Sequence, residues 1–78
     1  MPKVTLYTTP TCVYCKMTKA FLNEKQIPFE EKDVTTNDAW LDEMVKKSGQ
    51  LGVPVVDVDG TILVGFDKTR LSHMIGLQ

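Results

Sequence analysis

Two cysteines, the only two in the chain, stand three positions apart at Cys12 and Cys15, where an extended run gives way to a helical pattern. The extended run is Lys3 to Thr8, with Val4 and Leu6 on one face and Thr5 and Tyr7 on the other. Pro10 ends it, because proline has no N–H to give to a strand ladder. Apolar residues then recur at Val13, Met17, Ala20 and Phe21, an i, i+4, i+7, i+8 stripe that predicts a helix from Val13 to Lys25 with that face inward. Cys12 falls at or just before the first turn and Cys15 one turn further on. Side chains three apart on a helix point the same way, so the two sulfurs can meet. The first-turn N–H groups lack intrahelical partners, and together with the helix dipole they favour an anion. The anion a cysteine offers is its thiolate, so this placement predicts an activated thiol at Cys12.

The remaining bulk properties narrow what such a pair can be for. Seventy-eight residues suffice for one domain, residues 1–78, with a small core. Nine basic and ten acidic residues are interleaved, for a net charge of −1, which argues against nucleic acid or an anionic membrane surface as the main partner. No apolar run reaches the roughly 20 residues that span a bilayer. The amino end leads straight into a strand with no basic and then apolar leader, so the expectation is a soluble, cytoplasmic monomer. Two cysteines are too few for a disulfide scaffold, and a bridge across this spacing constrains almost nothing. In a reducing compartment the pair reads as catalytic or metal-binding; the plain alternative is two ordinary thiols on a helix.

Downstream, Ile27-Pro28 closes the first helix, since the residue before proline is pushed out of helical geometry. Phe29 to Val34 is expected as a second strand. Thr35-Thr36-Asn37-Asp38 is a helix-start signal, and the helix it opens carries Trp40, Leu41, Met44 and Val45, then Lys46 and Lys47, with Gly49 as its stop. Val55–Val58 and Thr61–Val64 flank Asp59-Gly60, the pattern of a hairpin with a two-residue turn. Asp67 is an N-cap candidate for a last helix, with Phe66 and Leu71 placed as a hydrophobic staple and Leu71, Met74 and Ile75 facing inward. The order is β-α-β-α-β-β-α. A four-stranded mixed sheet with helices on both faces buries all of these stripes.

That order, with its strand-Cys-x-x-Cys-helix start, resembles the thioredoxin-like fold and, within it, the glutaredoxin family over the whole chain. Tyr7 stands five before Cys12, Tyr14 fills the aromatic place of Cys-Pro-Tyr-Cys, and Gly52-Val53-Pro54 has the register of Thr-Val-Pro. Gly65-Phe66-Asp67 matches the spacing of Gly-Gly-x-Asp. There are departures. Val13 replaces the proline between the cysteines, Thr9 stands where many members carry a lysine for a glutathione carboxylate, and Val64 and Lys68 replace a glycine and an acid. The Gly-Phe pair is similar to that of the NrdH-type redoxins, which take electrons from thioredoxin reductase.

The resemblance implies a dithiol-disulfide oxidoreductase. Cys12 would attack a protein disulfide or a glutathione mixed disulfide, and Cys15 would resolve the mixed disulfide formed on Cys12. It also implies a cis bond before Pro54, with the Val53 backbone turned toward the cysteines to pair with an extended substrate segment. Tyr14, Gly65 and Phe66 would line the groove, and Asp67 would hold a glutathione amino group or simply cap its helix. The expected partners are disulfide-containing proteins, with glutathione or thioredoxin reductase as electron donor, and no cofactor is bound. Lys16 adds a charge beside the pair. Trp40 is expected as packing and His73 as a surface residue. Two other readings of the cysteines stay open. One is a soft-metal carrier for copper or zinc, although small copper carriers follow the order β-α-β-β-α-β. The other is a redox sensor that does not turn over.

Overall fold

A computed structural model describes residues 3–76. Its elements are β1 (Val4–Thr8), α1 (Val13–Glu24), β2 (Glu30–Asp33), α2 (Asp38–Ser48), β3 (Val55–Val58), β4 (Thr61–Val64) and α3 (Lys68–Met74). The sheet runs β2-β1-β3-β4, with β1 parallel to β2 and antiparallel to β3, and β3 antiparallel to β4. This is the thioredoxin-like fold, and the order matches the sequence expectation element by element. The second strand starts one residue later and ends one earlier than expected.

Alternation along the two central strands divides the interior. Val4 and Leu6 of β1, with Val56 and Val58 of β3, face a cluster completed by Phe21, Leu22, Leu63, Leu71 and Ile75, so α1 and α3 cover one face. Tyr7 and Val55 point the other way, against Met44, Trp40 and Leu41 of α2. Trp40 is therefore packing, as expected, and His73 is exposed.

Local signals set the ends of the elements. Asn37 caps α2 by accepting from the N–H groups of Ala39 and Trp40, and Gly49 closes it at φ 75°. Asp67 caps α3 by accepting from Arg70 N–H at 3.0 Å. Asp59 (φ 52°) and Gly60 (φ 94°) are both left-handed, the requirement of the two-residue turn that matches strand twist.

One expectation is overturned. The stripe Val13, Met17, Ala20 does not face inward: Val13 is 66% and Met17 44% exposed, and Ala20 is exposed as well. The buried face of α1 is Cys15, Thr18, Phe21 and Leu22. Apolar periodicity failed because two inward positions carry a thiol and a hydroxyl. Thr18 is tolerated inside because its hydroxyl donates to the Tyr14 carbonyl one turn back at 2.8 Å.

Candidate active site

Three segments meet at one end of the sheet. Tyr7 pairs with Val55, and Val55 with Val64. Thr8, Pro54 and Gly65 are therefore each one step beyond the same row, and Gly65 N–H closes on the Pro54 carbonyl at 2.8 Å. The loop leading to Cys12 leaves from that end of β1. This register gathers the cysteine turn, the Val53-Pro54 segment and the Gly65-Phe66-Asp67 turn, which are far apart in sequence.

Cys12 is the N-cap of α1, with extended backbone, and its Sγ accepts from Cys15 N–H at 3.1 Å. A sulfur here does what a serine or aspartate oxygen usually does at a helix start. Its carbonyl begins the helix by accepting from Lys16 N–H at 3.3 Å. Cys12 is partly exposed, whereas Cys15 is 1% exposed, and both are free thiols. Burial pushes the Cys15 thiol up to about 12, and the neighbouring Cys12 sulfur, within hydrogen-bonding reach, pushes the same way. A backbone hydrogen bond from Thr9 and the charge of Lys19 oppose them. One thiol is thus reachable and bonded by one helix-start N–H, while the other is enclosed and holds its proton.

The Val53–Pro54 peptide is cis. Among the described residues, no hydrogen bond involves the Val53 N–H or C=O. Pro54 is buried, and Val53 is half-buried against the α2-side cluster. Tyr14 is 61% exposed on the first turn of α1. Phe66 sets its ring edge-on to Phe21, with centroids 6.2 Å apart, and so ties the turn after β4 to α1. Met17, Ala20, Phe21 and Phe66 line a cavity of about 210 Å³ flanked by Glu24 and Lys68.

Sequence reasoning missed two features. The charge of Lys19, one turn beyond Cys15 at a spacing the helix pattern already contained, is the smallest influence on that thiol, and its Nζ is itself paired with Glu31 at 2.9 Å; Lys16 is exposed. On the opposite face, Tyr7 is fully buried and bound into a polar network. Its hydroxyl donates to Glu43 at 2.5 Å and accepts from Lys47 at 3.0 Å. Lys47 also bonds Asp57 at 2.6 Å, and Lys32 bonds Glu43 at 2.9 Å. The hydrogen bonds from Tyr7 and then Lys32 lower the pKa of Glu43, and the Asp57 carboxylate raises that of Lys47. Glu43 and Lys47 stand four apart on α2, but only the packing of α2 against β1, β2 and β3 brings Tyr7, Lys32 and Asp57 to them.

The glutaredoxin family model matches residues 4–63, a span that takes in the cysteine pair, the Val53-Pro54 segment, the first three strands and β4 up to Leu63. This chain belongs to the glutaredoxin family. A glutaredoxin-like 8.6 kDa protein encoded in the rubredoxin operon of Clostridium pasteurianum is 42% identical over 92% of this chain and 96% of its own. Glutaredoxin 3 of Escherichia coli K12 is 39% identical over 86% of this chain and 81% of its own. Among solved structures, the glutaredoxin-like NrdH-redoxin of Escherichia coli superposes with a TM-score of 0.80 at 25% identity, covering 91% of this chain and 92% of its own. Thiol redox chemistry is the family's general activity, and this glutaredoxin carries the two cysteines for it side by side.

Proposed function

We propose that this glutaredoxin reduces disulfides of protein substrates with Cys12 as nucleophile and Cys15 as resolving thiol. The observation that carries this reading is the asymmetry of the pair: a partly exposed Cys12 sulfur on a helix-start N–H, and a buried Cys15 held protonated. In the first step the Cys12 thiolate attacks one sulfur of the substrate, forms a mixed disulfide and expels the other sulfur as thiolate. Cys12 is then neutral, so the repulsion that helped to hold the Cys15 proton disappears. Cys15 gives its proton to solvent or to the departing thiolate and attacks Cys12 Sγ. The second substrate thiol leaves, and the Cys12–Cys15 disulfide remains. Two electrons pass to the substrate, and an external reductant must return them. The Val53 N–H and C=O, free among the described residues, pair with the substrate backbone as in strand addition.

For that reductant we infer a thioredoxin-reductase-type enzyme in preference to glutathione. Thr9 offers no charge to a glutathione carboxylate, and Val64 presents an exposed apolar side chain where the family pattern has glycine. Asp67 already accepts the Arg70 N–H with Oδ1. The NrdH-redoxin neighbour is described as having a thioredoxin-like activity profile. The reducing cytoplasm is the compartment in which such a cycle runs.

Two substitutions and one coupled assay test this. Cys12→Ser should abolish reduction of insulin disulfides, and Cys15→Ser should accumulate mixed disulfides visible by mass spectrometry without reductant. Full turnover in either variant rules the mechanism out. NADPH oxidation should be fast with thioredoxin reductase and slow with glutathione plus glutathione reductase; the reverse order rules out the donor.

A further inference from the structure

The loop that presents Val53 is held by one side chain. The Gln50 carboxamide grips the backbone of Gly52 at both of its polar groups: Oε1 accepts from Gly52 N–H at 2.5 Å, and Nε2 donates to the Gly52 carbonyl at 2.9 Å. The root of this clasp is also tied. Ser48 Oγ lies 2.7 Å from the Met44 carbonyl and 3.0 Å from the Gln50 carbonyl, either of which its single proton can serve, so the segment hangs from the last turn of α2. A primary amide matches a peptide group donor for acceptor, so Gln50 engages Gly52 as a neighbouring strand would.

The second observation is steric. A Cβ built on Gly52 would sit 2.6 Å from Gln50 Oε1, and the other nearby atoms belong to the same side chain. A side chain at position 52 would therefore push the Gln50 carboxamide out of its place, while the backbone itself does not call for glycine, its φ lying outside the left-handed region.

We propose that Gln50 is a positioning residue for substrate. By occupying both polar groups of Gly52, it fixes the peptide that leads into Val53 and leaves Val53 alone to pair with an incoming backbone. The clasp acts on substrates that carry peptide groups and not on the sulfur chemistry itself. This rests on the proposed docking at Val53.

The test is a double-mutant cycle in the full chain. Gln50→Ala removes the clasp, and Gly52→Ala displaces it. Each should raise the KM for insulin disulfides about fivefold, or about 1 kcal/mol, with kcat unchanged. Adding Gly52→Ala to Gln50→Ala should change nothing more, because the atom it would strike is gone. Gln50→Glu keeps the acceptor for Gly52 N–H, loses the donor, and should fall between. A small aromatic disulfide without peptide groups, dithio-bis-nitrobenzoate, should react identically with every variant, and circular dichroism should show the fold retained. A KM for Gln50→Ala within twofold of the parent overturns the proposal, as does additivity of the two alanines. An equal loss toward the peptide-free disulfide overturns it too. A parent protein inactive toward insulin instead removes the function on which it rests.

Discussion

The protonation of Cys15 gives the sharpest quantitative test. Its thiol is pushed up to about 12 from an ordinary 9.0, three units, and each unit is a factor of ten in the population of the thiolate. Near pH 8 about a tenth of an ordinary thiol is ionised, against about one part in ten thousand for Cys15, a ratio of about a thousand. Since the thiolate is the form that reacts, iodoacetamide should label Cys15 of the reduced, folded protein about a thousandfold more slowly than in urea. Label should collect at Cys12, followed peptide by peptide with mass spectrometry. Burial alone also slows labelling, so the decisive readout is the pH profile. An ordinary thiol levels off above its own value near 9, whereas the Cys15 rate should keep climbing tenfold per pH unit through pH 10 while circular dichroism reports a folded chain. A plateau near pH 9, or Cys15 labelled as fast folded as in urea, would refute the assigned cause, which is burial first and the Cys12 sulfur second.

Two further outcomes follow from the same structure. Met17→Lys on the exposed face of α1 should shift stability by no more than about 0.5 kcal/mol, whereas Leu22→Ala on the fully buried face should cost about 2–5 kcal/mol; urea denaturation checks both, and equal costs would restore the inward stripe. Glu43 has its carboxyl lowered from 4.5 by the Tyr7 hydroxyl and then by Lys32. The stability it contributes is therefore complete above pH 4.5 and is lost as pH falls below that value. Glu43→Gln should flatten the acid limb of a plot of urea midpoint against pH, and an unchanged limb would show that the network around Tyr7 carries no such linkage.

What the sequence determined by itself were the end and turn signals whose partners lie within about one turn of chain. Asn37 and Asp67 cap the helices at which they stand, Asp59-Gly60 turns the hairpin, and Cys12 sits at a helix start with Cys15 one turn on. Each rests on a backbone group two to four residues away, so the information is local. Family resemblance extended this to the Val53-Pro54 segment, which local physics could not have joined to the cysteines. Tertiary structure decided which side of α1 is buried, because Cys15 and Thr18 lie inside with Phe21 and Leu22 while Met17 is left out. It also decided the Tyr7–Glu43–Lys47–Asp57–Lys32 network, whose members meet only after β1, β2, β3 and α2 have packed. The Gln50 clasp belongs here as well: its two hydrogen bonds span only two residues, yet it depends on a loop strung between α2 and β3. Hydrophobic pattern reports what a side chain prefers in water, whereas a buried thiol, hydroxyl or ion pair is admitted only when folding supplies its partner.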